Sequence, residues 1–373
     1  MNLDWLTYDA IKYSEISGRY LPYKRLESFL EKTDFNFEKS IIGHSVNGLP
    51  IHLLKVGNGD HKVFMWSQMH GNESTTTKAV LDLLSFLNTK SDYSQQILDA
   101  CTLYIIPMLN PDGATAYTRF NANNEDLNRD SKHLTQPESR VLRAAFENIE
   151  PDFCFNLHDQ RTIFNVGDTP KPATLSFLAP SEDPDRNVTD TRKKAMEIIN
   201  AMVATLQNYI PNQIGRFDDS FNINCIGDMF TSLGVPTILF EAGHYQGDYE
   251  REETRKFVFI ALLSSLLKVS TEEITGDEFE NYFDVPENEK RFFDILIKNF
   301  KFSEEDVETE NEIGVLFKEN LQNNNIFLFP YVEKIGNLQN CYGHQEIDAS
   351  NAKISITRKQ LLTTDLQEFL KNL

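Results

Sequence analysis

The chain has 373 residues, 40% hydrophobic and 25% charged, an ordinary globular composition long enough for a main unit and a smaller one. Its 36 basic residues stand against 56 acidic ones, and the net charge of −20 argues against a nucleic-acid partner, because phosphate binding needs a basic face. Cys101, Cys154, Cys225 and Cys341 form no CxxC pair, so neither a disulfide scaffold nor a cysteine zinc site is expected.

The first ten residues carry Asp4 and Asp9 and no basic stretch ahead of an apolar one. No apolar run approaches membrane-spanning length, so a cytoplasmic protein without a membrane partner is expected. Four short apolar runs then punctuate the chain, and each ends in chemically active residues. Val63–Met69 leads to His70, and a helical pattern follows over Ser74–Leu87. Thr102–Met108 leads to a turn, Asn110-Pro111-Asp112-Gly113. Pro137 opens a helix over Glu138–Ile149, where Thr135 and Glu138 have the spacing of a capping box. Asp152–Leu157 leads to His158, a helix is expected over roughly Thr191–Asn208, and Pro236–Phe240 leads to Glu241. A last helix, Glu252–Lys268, completes this part.

Strands alternating with helices imply an α/β fold: a mixed, largely parallel central sheet with helices on both faces. Ligands collect at the carboxyl ends of such strands, where this sequence concentrates its polar residues. Composition changes after about Ser270. Phe293–Lys298, Ile313–Phe317 and Ile326–Val332 read as strands, with polar Glu319–Asn325 between the last two, and Lys359–Leu370 as a closing helix. The expected division is a catalytic unit over 1–270 and a small strand-rich accessory unit over 271–373.

His70-Gly-Asn-Glu73 sets an imidazole and a carboxylate three residues apart at a strand-to-helix junction. Zinc accepts both ligand types, and a catalytic site leaves a fourth position for water. Alone the pair means little. His158 supplies a third candidate ligand, leaving an apolar strand just as the chain turns polar. Glu241 closes another apolar strand, where an unpaired buried carboxylate would be costly without a function, and beside a metal-bound water it would act as general base. Arg119 to Asp130 combines two arginines with several amides, a composition suited to an anion pocket, since guanidinium binds carboxylate through paired hydrogen bonds.

These five elements, His70-x-x-Glu73, Asn110-Pro-Asp-Gly113, Asp126-x-Asn128-Arg129, His158 and Glu241, resemble the zinc metallocarboxypeptidase superfamily in kind and order, over about Tyr13 to Lys268. The resemblance implies one zinc ion on His70, Glu73 and His158, with Asp126 orienting His70. It implies Asn128 and Arg129 as the grip on a peptide's terminal carboxylate, and Arg119 as the group polarising the scissile carbonyl. Glu241 would activate the metal-bound water, and Ile226 would set the side-chain pocket. The implied substrate is a peptide with a free C-terminus. Three departures leave an amidase or deacylase of acyl-amino acids or cell-wall peptides as the alternative. Gly71-Asn72 stands where digestive members carry an arginine, Asp159-Gln160 replaces a more usual Ser-Tyr, and Phe217 and Phe221 lie where a tyrosine is common.

Overall fold

A computed structural model describes residues 7–32, 35–303, 311–352, 354 and 356–373. Its strands are β1 (Glu38–His44), β2 (Pro50–Val56), β3 (His61–Ser67), β4 (Cys101–Ile106), β5 (Phe153–Asp159), β6 (Phe164–Val166) and β7 (Leu175–Leu178). They continue with β8 (Ile214–Arg216), β9 (Thr237–Ala242), β10 (Asn288–Lys290), β11 (Phe292–Phe300), β12 (Asn311–Gln322), β13 (Asn325–Gly336) and β14 (Tyr342–Asp348). The main sheet has eight strands in the order β1-β2-β4-β3-β5-β9-β7-β8. β4, β3, β5 and β9 run parallel, and β2 and β7 flank them antiparallel. This is the expected mixed α/β architecture.

The parallel strands are buried on both faces, which is why they are apolar without alternation. Val63 and Met65 of β3 join one core with the helices Thr75–Leu87 and Glu252–Thr271. Phe64 and Trp66 point the other way, into a core with the helices Pro137–Ile149 and Ile226–Ser232. The helix Glu252–Thr271 is apolar all round because it packs against the helices Thr75–Leu87, Asp92–Ala100 and Asp190–Leu206 as well as the sheet. From β3 the chain steps to β4 on one side, then crosses back to β5 on the other. The carboxyl ends of β3 and β5 therefore flank the switch point of the sheet, where open α/β folds bind ligands.

Several local expectations are corrected. Thr135 and Glu138 form no capping box: the Asp130 carboxylate takes the Thr135 N–H, the Thr135 hydroxyl and the Gln136 N–H. Glu138 instead accepts from Val46 N–H and the Asn121 amide. Asn110–Gly113 is not a free turn but the start of a helix, Pro111–Ala116, with Asn110 as N-cap and Pro111 in its first turn. The strand β12 runs on to Gln322, so only Asn323 and Asn324, both at positive φ, make the hairpin turn to β13. The closing helix is two short ones, Arg358–Leu361 and Leu366–Lys371, because Asp365 caps a new start.

A second sheet, in the order β13-β12-β11-β14, lies C-terminal to the first. It is hydrogen-bonded to the main part through Phe292 N–H to Ile163 O and His344 Nε2–H to Thr162 O, and a separate two-stranded sheet pairs β10 with β6. Among the described residues no helix is long and apolar enough to cross a membrane.

Candidate metal centre and its cavity

The end of β3 is fixed by a strained but well-tied residue. Gln68 holds φ at 49°, and its side chain donates to Leu21 O and Gly71 O while accepting from Thr77 Oγ1. The loop rests on the helix Pro111–Ala116 so closely that a Cβ on Gly71 would lie 1.9 Å from the Gly113 carbonyl carbon. Asn110 completes the support: its Oδ1 accepts from Gly113 N–H and its amide donates to Met69 O. The Asn-Pro-Asp-Gly motif thus props up the residue before His70.

His70, Glu73 and His158 converge from the ends of the adjacent strands β3 and β5, all buried. His70 Nδ1 is 2.9 Å from Glu73 Oε1 and 3.1 Å from His158 Nδ1, and His158 Nδ1 is 3.0 Å from Glu73 Oε2. The far nitrogen of His70, Nε2, lies 3.1 Å from Asp126 Oδ1. A carboxylate only accepts, so Nε2 carries a proton toward Asp126, and the carboxylate facing Nδ1 calls for a second proton or a metal cation there. Nδ1 faces a carboxylate and a second imidazole nitrogen, a donor set that a metal cation among them would satisfy. The donor set therefore fits zinc.

Electrostatics support the same grouping. Burial works against the charged form of both histidines; at His70 Glu73 and Asp126 outweigh it and raise its proton affinity, whereas at His158 burial prevails and lowers it. Burial alone would raise Glu73, but the two histidines hold it well below the ordinary carboxylate range. Asp126 is likewise held low, its burial overcome by His70 and Arg119.

Glu241 sits directly beside His158 in the β5–β9 pairing. Burial, then the charges of Glu73 and Asp159, push its carboxyl well above the ordinary range, with Arg119 pulling the other way. One of its oxygens is buried and has no hydrogen-bond partner among the described residues. Arg119 reaches in from the loop after Tyr117, donating from Nε to Asp126 at 3.1 Å and from a terminal nitrogen to Glu73 at 3.4 Å. Asn128 Oδ1 accepts from Ile226 N–H at 3.0 Å, which leaves its amide hydrogens free to turn outward, and Arg129 lies against Cys225 Sγ at 3.1 Å. All these groups except Asp126 and Ile226 line one cavity of about 930 Å³.

Ile226 is the one site expectation that the cavity corrects. Its side chain packs with Phe230 in the core, because it faces inward from the first turn of its helix, and Gly227 and Asp228 line the cavity instead. Burial raises the Asp228 carboxyl to about 6 despite hydrogen bonds from backbone amides. Asp159, one of the departures noted above, has a local purpose: its oxygens accept from Thr75 and Thr76 N–H, capping the helix after Glu73 at its donor-rich end. Phe217 and Phe221 do line the cavity, Phe217 tilted against Phe164. Sequence reasoning missed Arg19, Tyr249, Arg251 and Glu319, which also line it and carry no local motif.

The sequence pattern of the family described as zinc carboxypeptidase matches residues 23–134. Carboxypeptidase 2 of Trichophyton equinum is 26% identical over 157 residues, 42% of this chain and 25% of that protein. Carboxypeptidase M of Mus musculus is 28% identical over 215 residues, 49% of this chain and 48% of that one. The chain thus covers less than half the length of either relative. The crystal structure of a metallo-carboxypeptidase from Burkholderia cenocepacia superposes with a TM-score of 0.54 at 20% identity, over 67% of this chain and 70% of that one. Residues 23–134 carry the zinc carboxypeptidase family's sequence, and two thirds of the chain carry the metallo-carboxypeptidase fold.

Proposed function

We propose that the chain is a zinc-dependent carboxypeptidase that hydrolyses C-terminal residues of peptides. The reading rests on one observation: His70 Nδ1, His158 Nδ1 and the Glu73 carboxylate converge within hydrogen-bond distance, beside Glu241 and Arg119 in a single cavity. His70, Glu73 and His158 would hold the ion, which supplies Lewis acidity and lowers the pKa of a bound water.

The remaining roles belong to the chain. Asp126 takes the His70 Nε2 proton and keeps the ring's other nitrogen facing Glu73 and His158. Glu241, beside His158 at the end of β9, takes a proton from water and passes it to the departing amine. Arg119, tethered to Asp126 and Glu73, presents guanidinium hydrogens to the negative charge that develops on the scissile carbonyl. Asn128 and Arg129 grip the substrate's terminal carboxylate. Asp228, facing the cavity next to them, favours a basic or hydrogen-bonding C-terminal side chain.

The test is a matched pair of peptides, one with a free C-terminus and one amidated, given to the zinc-loaded protein. Cleavage of the free peptide alone supports the assignment, and equal turnover of both overturns it. A second reading, an amidase or deacylase of acyl-amino acids or cell-wall peptides, is favoured by Asn72. That residue lines the cavity with a buried Oδ1 lacking a partner among the described residues, where an arginine would grip a longer peptide. Turnover of N-acyl amino acids with none of peptides would select it.

A further inference from the structure

The cavity is not closed by the main sheet alone. Its lining includes Asp294 of β11, Leu316, Phe317 and Glu319 of β12, and Leu328 of β13. The second sheet is fastened to the rim at several separate points. His344 Nε2–H donates to Thr162 O at 2.8 Å and Phe292 N–H to Ile163 O at 3.1 Å, so the segment leaving His158 runs straight into it. Tyr249 OH donates to Asp294 at 3.0 Å, and its ring meets Phe317 edge-on with centroids 5.4 Å apart. Glu319 forms an ion pair with Arg19 at 2.8 Å and accepts from Tyr117 OH at 2.6 Å. Phe317 and Glu319 of β12 carry two of these contacts, so the β12–β13 hairpin is tied to the rim as a wall of the cavity.

Its place relative to the catalytic groups follows from the two faces of the main sheet. Asn128, Arg129 and Cys225 adjoin the helix Ile226–Ser232, on the face covered with Pro137–Ile149. Arg19, Tyr249 and Arg251 adjoin the helices Thr75–Leu87 and Glu252–Thr271, on the opposite face. The strand ends bearing His70, His158 and Glu241 lie between. A substrate whose terminal carboxylate rests on Asn128 and Arg129, with its scissile bond over the strand ends, must extend toward the second face. There it meets Phe317, Glu319 and Leu328. The cavity volume of about 930 Å³ falls at the upper end of small-molecule sites, which run to roughly 1,000 Å³.

We infer that the β12–β13 hairpin bounds the substrate on its acyl side, restricting this chain to short peptides, di- or tripeptides. The inference rests on the carboxypeptidase reading, since it takes Asn128 and Arg129 as the carboxylate grip. Specificity of this kind comes from steric exclusion of the longer competitor and needs no added attraction for the short one.

The test is kcat/KM for the zinc-loaded full chain on a series of peptides with one C-terminal residue and increasing length, from dipeptide to octapeptide. The expected ratio of shortest to longest is at least about tenfold, the discrimination that one ill-fitting group gives in a rigid site. Leu328→Ala or Phe317→Ala lowers that ratio, and Leu328→Trp, which needs no cavity in the core, raises it. A ratio near one in the native chain, or a ratio unmoved by all three variants, overturns the inference. Failure to cleave any member of the series overturns the carboxypeptidase reading beneath it instead.

Discussion

At the scale of single residues, the chemistry resides in how few partners each catalytic candidate has to choose from. His70 has one ring nitrogen on Asp126 and the other facing Glu73 and His158. Asp126→Asn keeps the shape but can present an amide N–H to Nε2, the wrong partner for a protonated ring nitrogen. Zinc affinity should fall about 10- to 100-fold, measured by competition with a chromogenic chelator. His70 and His158 stood out in the sequence because each follows an apolar run, and the structure sets both at strand ends. Ile226 was not, since spacing from Glu241 cannot tell which way a helical side chain points; Asp228, two residues on, faces the cavity. Arg19 and Glu319 were out of reach for a different reason: three hundred residues of intervening fold bring them together, and neither has a local pattern.

At the scale of elements, buried ion pairs lock helices whose apolar faces alone would let them slide. Asp82, on the helix Thr75–Leu87, and Arg255, on Glu252–Thr271, pair at 2.6 Å with both side chains wholly buried. Arg255 also donates to the Tyr13 and Ile16 carbonyls, and Tyr8 OH and Tyr13 N–H bond Asp82, so the N-terminal segment is stitched to both helices. Arg255→Met leaves the Asp82 charge buried without its cation. It should destabilise the fold by about 3–5 kcal/mol, read from urea unfolding midpoints. The parallel strands β3, β4, β5 and β9 were legible as apolar runs, whereas β1, β10 and β14 were not. β1 is an edge strand carrying Glu, Lys and Ser on mostly exposed positions, and β10 has only three residues. β14 reads Tyr-Gly-His-Gln-Glu-Ile-Asp, without the alternation that marks a strand.

At the scale of the whole molecule, the second sheet is held against the first partly by neutral histidines. The rings of His244 and His344 meet at a tilt with centroids 4.2 Å apart, and His344 stacks on Phe292. Burial lowers His344 to about 4, the Thr162 carbonyl opposing and Arg251 reinforcing the shift; His244, buried against His344, is also low. An unfolded histidine takes up its proton near pH 6.5, so between about pH 6.5 and 4 the unfolded chain binds more protons than the folded one. Stability is therefore complete above pH 6.5 and declines as the pH falls toward 4, by up to about 3 kcal/mol for His344. His344→Gln, which can still donate to Thr162, should flatten that decline in chemical denaturation from pH 7 to 4.5, and an unchanged slope would remove His344 as its source. The central claim is the metal centre on which every catalytic role depends. Its most direct measurement is metal content after chelation, reloading with zinc and dialysis, on the native chain, Glu241→Gln and His158→Ala. The prediction is one zinc per chain in the first two, since Glu241 is not a ligand, and a large loss in the third. A native chain that retains no stoichiometric zinc, or a His158→Ala variant that retains it fully, would contradict the account.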